Sequence, residues 1–197
     1  MNPKPFLNGF PKTGNHALLK ACELLGVPAK VSHTAFEAGV PQGYTHNIFI
    51  KRDPRNVIIS KLRMDKHAVT PGTFLTRFRA WQEESVRVIP VEGQPDYVVV
   101  TPEISTIAAM AEYESWLADP NTLAIRYEDL IASDVVMKQI ADYLGVPYID
   151  GAFEELPGYT ITWNEEHSDY NTIWTPQVQQ AWAAEGGNEL LSRWGYQ

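Results

Sequence analysis

The sequence predicts an α/β fold, a single domain over residues 1–197 with a mostly parallel sheet flanked by helices and a phosphate-binding loop after the first strand. Three observations predict it. Short apolar runs of strand type alternate with helical stretches along the chain. Gly9-Phe10-Pro11-Lys12-Thr13-Gly14 has the Gly-x-x-x-x-Gly spacing of an anion-cradling loop and lies between a first strand and a first helix. No internal repeat, low-complexity tract or linker divides the 197 residues, a length that can bury one proper core.

The elements follow in order. Phe6 to Phe10 is a short apolar run suited to a buried strand. After the loop, Leu18, Cys22 and Leu25 recur at helical spacing, and Gly26 and Pro28 stop the helix. Lys30 to Thr34 is a second strand candidate and Asn47 to Arg52 a stronger third, ending in basic residues. Pro54 suits the first turn of the next helix, with Asp53 as its N-cap and Val57, Ile58 and Leu62 on its apolar face. Phe74, Phe78 and Trp81 predict a helix over Thr73 to Val88. Residues 89–102 read as a connection, because Gly93, Pro95 and Pro102 flank the strand-like Val98-Val99-Val100. Glu103 to Leu117 reads as helix and Thr122 to Arg126 as strand. Ser133 or Asp134 caps a helix carrying Val136, Ile140 and Leu144, closed by Gly145 and Pro147. A polar stretch runs to about Thr175, and a last helix starts near Pro176.

Composition narrows the partners. A net charge of −8 argues against a nucleic-acid binder, which would carry a basic stripe. Any anionic ligand must therefore meet a local basic cluster. No apolar run approaches the roughly 20 residues of a membrane span, and the N-terminal residues Met-Asn-Pro-Lys-Pro run straight into the first strand. With Cys22 as the only cysteine, the expectation is a soluble, cytoplasmic protein without a disulfide.

The loop has an unusual ending. A nucleoside triphosphatase follows the second glycine with Lys and Ser/Thr, which reach the β/γ-phosphates and Mg²⁺. Here Asn15 and His16 stand in those places, and the lysine lies inside the loop at Lys12. The pattern points to an anion at a helix N-terminus and away from Mg²⁺–ATP chemistry. A second segment supports an anion site. Lys51, Arg52, Arg55, Lys61, Arg63 and Lys66 place six of the 16 basic residues within 16 positions. A charge run is most often a solvated face, but Arg52 stands at a strand's carboxyl end, where open α/β sheets bind ligands.

Pro11-Lys12-Thr13-Gly14 after the first strand, Arg52-x7-Ser60 from strand into helix, and Tyr127-Glu128-Asp129-Leu130 before a helix ending in Leu-Gly-Val together resemble the sulfotransferases. The three segments cover the chain from about 5 to 147. The resemblance implies 3′-phosphoadenosine 5′-phosphosulfate (PAPS) as sulfuryl donor, adenosine 3′,5′-bisphosphate (PAP) as product, and no required metal. It implies that Pro11, Lys12, Thr13, Gly14, Asn15 and His16 surround the 5′-phosphosulfate, with Lys12 stabilising charge on the departing phosphate. Arg52 and Ser60 would bind the 3′-phosphate, and Tyr127 matches an adenine contact. A general base follows the second strand in this family, which implies His33, with Glu37 as the alternative and His16 as a third choice. Without the resemblance, His33 reads as a strand-end residue bonded locally.

The chain also departs from the family. Ala17 stands where a Trp often stacks on adenine, and Asn164 to Asn171 is acidic where an Arg-Lys-Gly segment usually completes the 3′-phosphate site. Lys51, Arg55 or Lys61 would have to compensate. The competing readings are an atypical phosphate-loop kinase and a non-catalytic PAP-binding module. The expected acceptor is a hydroxyl or amine of a small molecule or glycan. Trp182 and Trp194 read as packing for the last helix, whereas Trp163, Tyr170 and Trp174 read equally as packing or as acceptor contacts.

Overall fold

The computed structural model describes the backbone of residues 2–33, 42–83, 86–91, 94–102, 106–156 and 169–197, and the side chains of those outside 81–105. Strands β1 (Pro5–Asn8), β2 (Lys30–Ser32), β3 (His46–Lys51) and β6 (Thr122–Arg126) form a four-stranded parallel sheet in the order β2-β1-β3-β6. The α/β class expected from the sequence is the fold observed. Helix α1 (Asn15–Leu24) carries the chain from β1 to β2, which lies beside it; the chain then returns past β1 to β3. That reversal makes the β1/β3 boundary the switch point of the sheet.

Alternation along the strands divides the core into two layers. Phe6 and Phe49 face one side, onto a cluster with Val57, Ile58 and Leu62 of α2 (Pro54–Met64), Phe74 and Phe78 of α3 (Pro71–Glu83), Trp182 of α8 (Pro176–Ala184) and Trp194 of α9 (Gly187–Trp194). Leu7, Ile48, Ile50 and Ile125 face the other, against Leu18 and Cys22 of α1 and Met137, Ile140 and Leu144 of α7 (Val135–Leu144). Trp182 and Trp194 are fully buried and pack the last helices, as their helical positions predicted.

Local chemistry sets the boundaries near the site. Asp53 caps α2 through a 2.9 Å bond from the Arg55 N–H to its Oδ1, with Pro54 at the first helical position. Helix α1 ends before Gly26, which takes φ +72 and lets the Val27 N–H close onto the Cys22 carbonyl. Gly145, at φ +67, does the same for α7.

The middle of the chain differs from expectation. Helix α3 stops at Glu83, and Val86–Val91 (β4) pairs antiparallel with Gln94–Pro102 (β5) in a separate two-stranded sheet. The β-branched residues of both segments favour strand over the helix expected to Val88 and the connection expected beyond it. The helix expected over Glu103 to Leu117 is two, α4 (Thr106–Ala111) and α5 (Glu114–Ala118). The last helix also divides, because Gly186 at φ +81 separates α8 from α9. Helix α6 (Tyr127–Ala132) follows β6 directly. Among the described residues, no helix is long and apolar enough to cross a membrane.

Candidate functional site

The carboxyl ends of the four parallel strands meet at one cavity of about 260 Å³. It is lined by Pro11, Lys12, Gly14, Asn15, His16 and Ala17 after β1, His33 after β2, Arg52 after β3, and Tyr127 after β6. Ser60 and Met64 complete the lining from α2. Residues up to 116 positions apart in sequence, Pro11 and Tyr127, thus converge where the topology places ligand crevices in such sheets.

The loop's shape follows from its residues. Thr13 N–H donates to the Phe10 carbonyl at 3.2 Å, closing a turn with Pro11 at its second position and Lys12 at its third. Lys12 holds φ +74, as the third position of a type II turn requires, although such backbone is strained for a residue with a Cβ. Gly14 follows at φ +104 as the residue before α1. A Cβ there would collide with the Tyr127 ring, so this position needs glycine for both conformation and space. At Gly9, a Cβ would lie 2.6 Å from the Ile50 carbonyl oxygen and 2.7 Å from both Asn15 Oδ1 and Thr13 Oγ1.

Two loop side chains turn inward. Thr13 Oγ1 donates to the Phe10 carbonyl at 2.6 Å, and Thr13, fully buried, does not line the cavity. Asn15 Nδ2 donates to the carbonyls of Phe10 at 3.0 Å and Gly9 at 3.2 Å. Asn15 therefore braces the loop through its side chain and lines the cavity at the first turn of α1. Among the described residues, no side chain caps that turn. Its N–H groups and the positive end of the helix dipole face the cavity, which suits an anion.

Two cations lie against this turn. Arg52 is held between the loop and α6, its Nη1 donating to the Lys12 carbonyl at 3.4 Å and its guanidinium carbon 4.5 Å from the Tyr127 ring centre. Arg52 Nε is buried without a hydrogen-bond partner among the described residues. Burial depresses the pKa of Arg52, and burial plus the nearby positive charges of Arg52 and Lys61 lowers that of Lys12. Among the described residues lining the cavity, none is acidic. On a chain of net charge −8, the cavity is a local field for anions.

Three other basic residues of this segment, Lys51, Arg55 and Lys61, have partners of their own. Arg55 makes a fork with Asp53, at 2.6 Å between Nη2 and Oδ2, and also donates to the Gln197 carbonyl at 2.7 Å. Its guanidinium stacks 3.8 Å from the Tyr170 ring. Lys51 donates to the Trp194 carbonyl at 2.7 Å. Lys61 pairs with Asp65 at 3.3 Å. Tyr170 and Trp174 pack on one another and on the large core cluster. Trp163, Glu37 and the acidic Asn164–Ser168 stretch lie outside the described residues.

His33 stands exposed at the end of β2 with Nδ1 2.9 Å from the Gly9 carbonyl oxygen. A carbonyl only accepts, so Nδ1 donates in this contact, while Asn15 Nδ2, 3.4 Å from the same atom, directs its own protons at the Gly9 and Phe10 carbonyls; with Nδ1 as the N–H, Nε2 is the ring's acceptor. The local bond expected of a strand-end residue is thus made by Nδ1. His16, also exposed, lines the cavity from the second residue of α1. Ala17, the position where a Trp often stacks on adenine in the family resembled, lines the cavity. Met64 was not foreseen as a lining residue; it lies four residues, one helical turn, beyond Ser60. Among the described residues, no three His, Cys, Asp or Glu side chains gather as metal ligands.

Neither a comparison with protein-family profiles nor one with curated proteins finds a match. Among solved structures, the chain is similar to the mouse sulfotransferase SULT7A1 crystallised with PAP, at a TM-score of 0.67 and 15% identity. The similarity covers 98% of this chain and 89% of that one. At this identity the likeness establishes the architecture: the chain has a sulfotransferase-like fold, with a cationic cavity at its strand ends.

Proposed function

We propose that the chain is a sulfotransferase that uses PAPS, releases PAP and sulfates a hydroxyl or amine of a small molecule or glycan. One observation carries this reading. Lys12, Arg52, Ser60 and the uncapped first turn of α1 meet in one cavity whose described lining holds no carboxylate. The PAP bound in the similar mouse enzyme supports the choice of ligand.

In this reading, residues 1–197 work as one unit. Pro11, Lys12, Thr13 and Gly14 shape the loop, and the N–H groups of Asn15 and His16 receive the phosphosulfate. Arg52 and Ser60 take the 3′-phosphate, and Tyr127 supports Arg52 while offering its free edge to the nucleotide. The acceptor oxygen or nitrogen forms a bond to sulfur as the bond from sulfur to the bridging phosphate oxygen breaks. The acceptor's proton passes to His33 Nε2, and Lys12 neutralises the charge left on the phosphate. Glu37 remains the alternative base.

PAP should raise the thermal midpoint of the protein, since a ligand that binds only the folded state stabilises it by mass action. Labelled PAPS with a panel of phenols, amines and sugars then reports transfer, with and without chelator. Binding without transfer to any acceptor would indicate a non-catalytic PAP module. Chelator-sensitive transfer from ATP would indicate a kinase. Failure to bind PAP at all would sink the proposal.

A further inference from the structure

Arg52 and Tyr127 line the cavity, but their chain neighbours contact a different part of the molecule. Lys51 and Arg126 are paired in register at the ends of β3 and β6. Behind them passes the segment Trp194–Gln197, which begins at the last residue of α9. Lys51 Nζ donates to the Trp194 carbonyl at 2.7 Å, and the Arg126 guanidinium stacks 4.4 Å from the Tyr196 ring centre. Tyr196 Oη donates to Glu128 Oε2 at 2.8 Å, while Glu128 Oε1 accepts the Asp53 N–H at 3.0 Å. One carboxylate thus ties the residue after Arg52 to the residue after Tyr127, and Tyr196 holds that carboxylate from behind. Tyr196 is buried, and burial with the Glu128 charge raises its pKa, so the hydroxyl stays a donor.

We propose that Tyr196 and Glu128 are positioning residues: their bond fixes the strand ends that aim Arg52 and Tyr127 into the anion cavity. The inference rests on the anion-site reading of that cavity and adds a requirement for a segment far from it in sequence. Neither Tyr196 nor Glu128 lines the cavity, so their bond acts on a ligand through the residues that it positions.

The test is a double-mutant cycle on the whole protein, read by calorimetric titration with PAP. Tyr196→Phe keeps the ring and its stack on Arg126 and removes only the hydroxyl. It should weaken PAP binding about fivefold, the scale of one lost hydrogen bond, without lowering the binding stoichiometry. In an Arg52→Ala background, titrated at PAP concentrations raised to match its weaker binding, Tyr196→Phe should cause a clearly smaller further loss, the part carried by Tyr127 alone. In a His16→Ala background the full effect should persist. Unchanged affinity in Tyr196→Phe overturns the inference, and so does an equal loss with Arg52 already removed. A wild-type protein that binds inorganic pyrophosphate but not PAP refutes the donor assignment alone, and the same cycle is then read with pyrophosphate. Wild-type protein binding neither refutes both.

Discussion

Arg52 stacks on Tyr127, its guanidinium carbon 4.5 Å from the ring centre, while Nη1 reaches the Lys12 carbonyl at 3.4 Å. The arginine therefore holds the loop's strained turn and also lines the cavity, and its buried Nε has no hydrogen-bond partner among the described residues. Arg52→Ala should cost about 2–4 kcal/mol of PAP affinity, the scale of removing one partner of a desolvated charge contact. Tyr127→Leu removes the stack and the ring's edge toward the nucleotide but leaves the guanidinium, and should cost about 0.5–2 kcal/mol. Titration of both variants checks the order, and a larger loss for Tyr127→Leu would contradict it.

Gly14 and Gly26 make a matched pair. Both have positive φ, +104 and +72, but a Cβ at Gly26 meets nothing within 4 Å, whereas one at Gly14 runs into Tyr127. Gly26→Ala should cost about 1–2 kcal/mol of stability, the strain of left-handed backbone. Gly14→Ala should cost more and also weaken PAP binding, because Tyr127 must move and take its support from Arg52. Urea unfolding midpoints and titrations of the two variants decide this; intact PAP binding in Gly14→Ala would contradict the role given to Tyr127.

Much of this site was legible because its determinants are local. Proline before Lys12, glycine at 14, and Asp53 with Pro54 at a helix start each dictate a backbone shape within four residues. Arg52 and Ser60 are eight apart, and their common cavity follows from a strand end feeding a helix. Thr13 and Asn15 were harder to read, since a polar residue in a loop motif can serve the ligand or brace the loop. Their side chains here donate to Phe10 and Gly9 carbonyls. Glu128 and Tyr196 were illegible as a pair. Their bond spans 68 positions, and only the tertiary fold brings α9 behind the strand ends. The β4–β5 hairpin was misread for another reason: its prolines masked a β-branched pattern that antiparallel edges tolerate.

Lys12 gives the cavity a pH limit. Burial and the neighbouring Arg52 charge lower its pKa from the ordinary 10.5. An anionic ligand binds the protonated lysine more tightly, so affinity is constant while free Lys12 is charged and falls once pH passes its lowered pKa. The fall should therefore begin at lower pH than for an ordinary lysine. Lys12→Arg should shift it to higher pH, whereas Lys12→Ala should flatten that part of the profile. PAP titrations across the alkaline range provide the check; identical profiles for wild type and Lys12→Arg would rule out Lys12 as the titrating contact.

Cys22 is fully buried, and burial pushes its thiol up to about 12 from an ordinary value of 9.0. The folded state thus keeps a proton that the unfolded chain releases. Its contribution to stability is complete below pH 9.0 and declines as pH rises from there toward about 12. The thiolate is the reactive form, so Cys22 should resist a disulfide reagent at pH 8 in the native protein and react at once in urea. Stoichiometric labelling of native protein at a rate independent of unfolding would contradict its burial.

His33 separates binding from chemistry most sharply. Its Nδ1 is committed to the Gly9 carbonyl at 2.9 Å, which leaves Nε2 to take a proton. An asparagine side chain can place its amide nitrogen near the position of Nδ1 and keep that bond, but it offers no basic nitrogen. His33→Asn should therefore retain PAP affinity and thermal stability while lowering the transfer rate by about 10²–10⁴-fold, the usual worth of a general base. His33→Ala should lose the same rate and also loosen the loop, seen as weaker PAP binding. The comparison isolates the proton-accepting nitrogen from the structural one. If His33→Asn transfers at the wild-type rate, the base lies elsewhere, and Glu37→Gln becomes the variant expected to lose transfer.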